Sequence, residues 1–184
     1  MFFEKAGPVW ETLRKLEQQL NEAGIPYVII GGMALYAHNY PRTTQDVDLV
    51  VTAEGFQRFK ELFGTQYSPR EGAPRRFMDR RSEAWFDFLI AGQLAGNTRK
   101  NQVIRFPDPI QAEIHNDLRT VSLPRLIELK LVTWRFKDWG DVVELIRRNQ
   151  LPEALADRLH PTVRMTYLEC WDGARDENYE GPQE

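Results

Sequence analysis

Val9, Leu13, Leu16, Leu20 and Ala23 recur at three- and four-residue spacing behind Pro8, and Gly24 follows them. That period lays an apolar stripe along a helix from about Pro8 to Ala23, opened by proline and stopped by glycine. After Pro26 the pattern becomes an unbroken apolar run, Tyr27-Val28-Ile29-Ile30, which reads as a short buried strand. Gly31-Gly32 breaks that run, and a short helix is expected from Met33 to His38. Asn39-Tyr40-Pro41 ends it, because proline disfavours helical geometry in the residue before it. Asp46-Val47-Asp48-Leu49-Val50-Val51 alternates and then turns wholly apolar, predicting a strand whose first half faces a cavity or solvent. Thr52 is placed to cap a helix carrying Phe56, Phe59, Leu62 and Phe63 on one side. Trp85 to Ile90 reads as a third strand, with Asp87 on the face of Trp85 and Leu89. Ile110 to His115 reads as a fourth, after the turn-like Pro107-Asp108-Pro109.

The second half is helical. Ser122 and Pro124 open a helix to about Trp134, Asp138 opens another to about Arg148, and shorter ones follow from Pro152 and Pro161. From Asp172 onward acids dominate, and residues 172–184 are expected to be a disordered tail. This order predicts an α+β chain: a core over residues 1–120, and a C-terminal helical part over 121–171 packed on it.

Composition narrows the chemistry. A hydrophobic fraction of 42% over 184 residues supports a real core, and a net charge of -3 gives no general attraction for polyanions. Any polyanion would need a local patch, for which Arg70, Arg75, Arg76, Arg80 and Arg81 are the candidates. For each arginine singly, a solvated hairpin face is the simpler reading. The single cysteine, Cys170, excludes an intramolecular disulfide and reads as a small hydrophobe on the last helix. His38, His115 and His160 show no metal-ligand spacing. The N-terminus lacks the basic and apolar regions of a secretion signal, and no apolar stretch approaches the roughly 20 residues of a membrane span. A cytoplasmic protein without membrane contact is expected.

The acids carry the sharper signal. Period-two geometry sets Asp46 and Asp48 on one face of one strand, where like charges repel unless a cation or hydrogen bonds neutralise them. Mg²⁺ prefers carboxylate and phosphate oxygens, so the pair suits a metal–triphosphate complex. Capping of neighbouring turns at a solvated strand end is the alternative. Upstream, Gly31-Gly32 joins a strand to a helix start, a place where backbone can approach phosphate closely or where glycine merely makes the corner. Asp87 lies between Phe86 and Phe88 and must be paired, hydrated or functional. If its strand neighbours the first, three carboxylates meet and can hold two metal ions. Lys130 projects among Leu126, Ile127, Thr133 and Trp134, and needs an anion, either a phosphate or a structural acid. Asp138-x-x-Asp141 also looks like a helix cap.

Ile30-Gly31-Gly32-x-Ala34, Arg42-x-Thr44-x-Asp46-x-Asp48, the strand bearing Asp87, Lys130, and Arg135-Phe136-Lys137-Asp138 together resemble the DNA polymerase β-type nucleotidyltransferases. Within them the AbiEii/AbiGii-type toxin group is closest, and the resemblance spans roughly Tyr27 to Arg148. It implies a nucleotidyltransferase-like mixed β-sheet flanked by helices, with a C-terminal helical part. It further implies Mg²⁺ or Mn²⁺ held by Asp46, Asp48 and Asp87, with an NTP as substrate. Gly31, Gly32, Arg42, Thr44 and Lys137 would bind the nucleotide, while Lys130 and Asp138 complete the catalytic set. The NMP would pass to a hydroxyl of tRNA or protein, as in the toxin of a toxin–antitoxin pair with a cognate antitoxin. Many relatives carry serine after the glycines, whereas this chain has Met33 and Ala34, so phosphate contact would rest on backbone amides or on Thr43 and Thr44. Two other readings stay open: nucleotidylation of an antibiotic-like small molecule, and a degenerate nucleotide- or protein-binding module.

Overall fold

In a computed structural model, which describes residues 5–176, α1 (Pro8–Glu22) leads into β1 (Tyr27–Ile30), α2 (Gly31–Ala37), β2 (Asp46–Val51) and α3 (Ala53–Phe63). Then come β3 (Tyr67–Arg70), β4 (Ala73–Asp79), β5 (Trp85–Ile90), β6 (Glu113–His115) and β7 (Leu118–Thr120). The helices α4 (Leu123–Leu131), α5 (Phe136–Asn149) and α6 (Arg164–Arg175) close the order. The seven strands form one sheet in the order β3-β4-β5-β2-β1-β7-β6. It is mixed: β2 runs parallel to β5 and antiparallel to β1, while β1 pairs β7 in parallel. The expected α+β class is observed.

Each face of the sheet carries its own core. Ile29, Val47, Leu49, Phe86 and Phe88 point to one side, against Leu13, Leu16 and Leu20 of α1 and Phe59 of α3. Val28, Ile30 and Val50 point to the other, against Leu126 and Ile127 of α4, Val142 and Leu145 of α5, and Tyr167 of α6. A strand covered on both faces reads as an unbroken apolar run, which is why Tyr27–Ile30 carries no polar residue. β2 keeps that character only in its second half; Asp46 and Asp48 begin it on the α4–α5 side, beyond the edge of that core.

Several expectations needed correction. Leu62 does not join the aromatic stripe of α3 but is 52% exposed, because the stripe is satisfied by Phe56, Phe59 and Phe63. Residues 110–115 are not one strand: Pro109–Gln111 make a 3₁₀ turn and pairing begins only at Glu113. The helix expected to reach Trp134 stops at Leu131, and Trp134 takes the left-handed conformation, φ 58°, rare for a bulky side chain. The helix from Pro152 is a 3₁₀ helix, Glu153–Arg158, and the one from Pro161 begins as a short 3₁₀ turn that feeds α6. Residues 172–175 of the expected tail continue α6, and 177–184 lie outside the described residues. The hairpin expected of the arginine segment is β3–β4, but its strands were not delimited and strand β7 was not anticipated. Their arginines and prolines obscure the alternation that Phe77 and Asp79 (buried) and Met78 (half-buried) follow. Among the described residues no helix is long and apolar enough to cross a membrane.

Candidate active site

Strand register assembles the acids. Asp48 pairs with Ile30 on β1 and with Asp87 on β5, and Asp87 pairs with Arg76 on β4. Neighbouring strands lie about 4.8 Å apart, so these side chains form one row across the sheet, with Asp46 two residues back on the same face. One carboxylate oxygen from each of Asp46, Asp48 and Asp87 lies within 4.8 Å of the others. Among the described residues this is the one group of three or more His, Cys, Asp and Glu side chains close enough to share a metal ion.

The electrostatics follow from the crowding. Burial pushes the Asp48 carboxyl up to about 7, helped by the charges of Asp46 and Asp87 and opposed by Lys130 and Arg76. Burial also raises Asp87, against the pull of the Arg76 guanidinium. Arg76 sets Nη1 2.5 Å from Asp87 Oδ2 and Nη2 3.5 Å from Asp46 Oδ2, over the Trp85 ring. Hard oxygen donors gathered this closely, carrying more negative charge than one arginine cancels, suit a divalent cation.

The double glycine has a steric explanation. Gly31 sits at φ +65°, and a Cβ there would fall 2.0 Å from Asp48 Oδ2. A Cβ on Gly32 would fall 2.4 Å from the Thr44 hydroxyl, which donates to the Asp46 carbonyl. The glycines thus make room for the acid-bearing strand and the loop before it. α2 has only seven residues, so its dipole adds little to an anion site. The Met33 and Ala34 side chains are buried in the two cores, Met33 beneath the sheet and Ala34 among the C-terminal helices.

On the opposite wall, α4 and α5 are joined by a buried charge network. Lys130 Nζ donates to Asp138 Oδ1 at 2.8 Å and to Asp141 Oδ2 at 2.7 Å. Arg42 clamps Asp141 through two bonds of 2.8 and 2.9 Å, and Arg135 and the Thr133 hydroxyl donate to Asp138 Oδ2. Burial works against the Asp138 charge, yet Lys130 and its other donors hold it below the usual carboxylate range. Lys130 therefore has structural acids as partners, and Arg42 is already engaged. The cap reading of Asp138 is corrected: Arg135 is the N-cap of α5, no side chain caps it, and Asp138 lies inside the first turn. Lys137 is exposed and makes no ion pair with a described residue.

A cleft of about 560 Å³ lies between these walls. The triad, both glycines and Thr44 line one side; Arg42, Lys130, Lys137 and Asp138 line the other. The ten residues that the resemblance implied for metal, nucleotide and catalysis thus border one space. Beside it runs a chamber of about 480 Å³, sharing Gly31, Asp48, Lys130, Arg135 and Asp138 and walled by Ile30, Leu89, Leu94, Phe106, Leu126 and Leu129. Its outer wall is the 94–106 loop, pinned by Asn101, which bonds the backbone of Ala95, Val103 and Ile104. The chamber lies between β1, β2 and β5 on one side and α4 on the other.

Three arginines of the cluster are engaged with different partners. Arg76 turns into the triad, Arg75 reaches Gln93, and Arg80 bonds Ser68 and the Tyr67 carbonyl. The parts of Arg76 and Asp141 were missed from the sequence. Asp87 demanded a counter-charge, but the strand supplying it was not recognised. Cys170 is buried, and burial pushes its thiol up to about 12, as suits an inert core residue.

No protein-family model matches the chain, and no curated protein matches it. The solved structures similar to it include a solution structure of the antibiotic-resistance factor ANT(2'')-Ia and a crystal structure of ANT(2'')-Ia in complex with adenylyl-2''-tobramycin. Each is 13% identical over 88% of this chain, covering 80% and 86% of the respective neighbours, with TM-scores of 0.45 and 0.43. Likeness of that degree identifies neither a reaction nor a substrate for this chain.

Proposed function

We propose that the chain is a metal-dependent nucleotidyltransferase. The observation that carries this reading is the convergence of Asp46, Asp48 and Asp87 within 4.8 Å, facing a cleft bordered by cations. A bound Mg²⁺ or Mn²⁺ would supply charge neutralisation on the triphosphate and on the leaving pyrophosphate. Asp46, Asp48 and Asp87 would hold it, and Asp87 would also take the proton of the acceptor hydroxyl. The acceptor oxygen then bonds to the α-phosphorus as the bond to the β-phosphate oxygen breaks, and pyrophosphate leaves with the electron pair. Arg42 and Lys130, fixed through Asp141 and Asp138, present positive charge from a rigid frame, which costs no reorganisation as charge shifts. Lys137, which lines the cleft without an ion pair among the described residues, would follow the phosphates, while Thr44 and the two glycines shape the floor.

The acceptor we favour is a small molecule. The chamber of about 480 Å³ falls in the size range of small-ligand sites and opens beside Asp48, and Arg75, Arg76 and Arg80 are each engaged within the fold. A second reading takes a tRNA end or a protein, as a toxin with a cognate antitoxin would. It is favoured by Trp134 (45% exposed) and Phe136 (68% exposed), which alternate in sequence with Arg135 and Lys137 of the cleft lining, since bases stack on such aromatics.

The test is incubation with each α-labelled NTP, Mg²⁺ or Mn²⁺, and in turn bulk tRNA, protein extract and a panel of hydroxylated small molecules. Label should appear on one acceptor class and vanish with Asp48→Asn. NTP binding without any labelled product would sink the transfer reaction and leave a binding module.

A further inference from the structure

We propose that Arg76 is the resident counter-cation of the triad, bridging Asp46 and Asp87 until a divalent metal displaces it. The idea rests on the reading of the triad as a metal site. It goes beyond that reading by making metal affinity a property that a fourth side chain sets.

The placement comes from the ladder. Arg76 stands opposite Asp87 in the β4–β5 register, as Asp48 does on the other side. Its fork spans the two acids, with Nη1 at 2.5 Å from Asp87 and Nη2 at 3.5 Å from Asp46. The Trp85 ring, 5.4 Å from the guanidinium carbon, backs it. A planar cation between two carboxylates occupies the region where a shared metal ion would sit.

The fit is incomplete, and this makes it replaceable. Asp48, the most strongly perturbed acid, receives no hydrogen bond from Arg76, and the second contact to Asp46 is at the long limit of a hydrogen bond. The buried Nε–H meets no acceptor among the described residues. A guanidinium offers five donors, and here few are used well. A divalent ion brings twice the charge and can reach all three carboxylates at once. A purely structural cross-strand pair is the rival account, and it predicts that metal leaves Arg76 where it is.

Mn²⁺ binding followed by electron paramagnetic resonance distinguishes the two, with circular dichroism as the check on folding. Arg76→Gln should bind Mn²⁺ at least tenfold more tightly than the wild type, and Arg76→Lys, which keeps the charge but loses the fork, should fall between them. Equal or weaker binding by Arg76→Gln overturns the proposal while leaving the metal site intact. Absence of Mn²⁺ binding in wild type and Arg76→Gln alike overturns both. A second measurement needs no Arg76 variant: the Arg76 Nε–H resonance of the wild type should move on saturation with Mg²⁺, and stay still in Asp48→Asn. An unmoved wild-type resonance under saturating Mg²⁺ overturns displacement even if Arg76→Gln fails to fold.

Discussion

Asp48 and Asp87 stand opposite each other in the parallel β2–β5 ladder, so two acids from distant parts of the chain share one row of one sheet face. Neither sits at a strand edge where water could screen both fully. The fold accepts this repulsion at the mouth of the cleft, where three carboxylates meet.

The burial of Asp48, reinforced by that repulsion, has a pH signature in metal-free protein. The folded-state pKa of Asp48, about 7, lies above its unfolded value, so the folded state binds the proton more tightly. The contribution is fully present below about pH 4 and is lost as pH rises through 7. Asp48→Asn should therefore be more stable than wild type at pH 8, by on the order of 1–3 kcal/mol, with the gap closing towards pH 4. Urea unfolding at the two pH values measures it. An equal gap at both would mean that the acid is not strained.

Lys130 and Lys137 should part company. Lys130→Ala leaves two buried aspartates with one fewer partner, and should cost about 3 kcal/mol by chemical denaturation. Lys137→Ala should change stability by less than about 0.5 kcal/mol. It should nevertheless weaken NTP binding severalfold, as read by calorimetry with a non-hydrolysable triphosphate.

Gly31→Ala tests the fit of the turn against Asp48. The positive φ alone should cost about 1 kcal/mol, and the new Cβ must push the Asp48 carboxylate aside. Mn²⁺ affinity should fall by far more than stability. Gly96→Ala gives the opposite pattern, because its Cβ would meet the Val132 backbone at 2.3 Å, beside the chamber rather than the triad. It should lower the melting temperature and spare Mn²⁺ binding.

Filling the apolar chamber separates organic substrate from metal. Leu94→Trp should raise KM for the acceptor or the nucleotide at least tenfold and leave Mn²⁺ affinity unchanged. Unaltered kinetics would show that neither substrate enters there.

Much of this site was written into local chemistry. The alternation of Asp46-Val47-Asp48, the apolar strand around Asp87 and the double-glycine corner are period and composition signals, legible because a strand has only two faces and a tight turn few residue choices. The two-sided burial of β1 and the stripe of α1 were legible for the same reason. Boundaries were less so: Trp134, expected inside a helix, turns the chain between α4 and α5, because tertiary packing there outweighs local preference.

Which acids meet which cations belongs to a different level. Register across β2, β5 and β4 brings Asp48, Asp87 and Arg76 into line, and helix packing brings Arg42 to Asp141 across 99 residues of sequence. Such pairings rest on distance in space, which no local pattern encodes. The sequence by itself determined that acids, glycines and cations of the right kinds stand on the right elements. Only the tertiary structure decided that Lys130 is held by two aspartates, that Arg76 lies between two of the triad's acids, and that an apolar chamber opens beside Asp48.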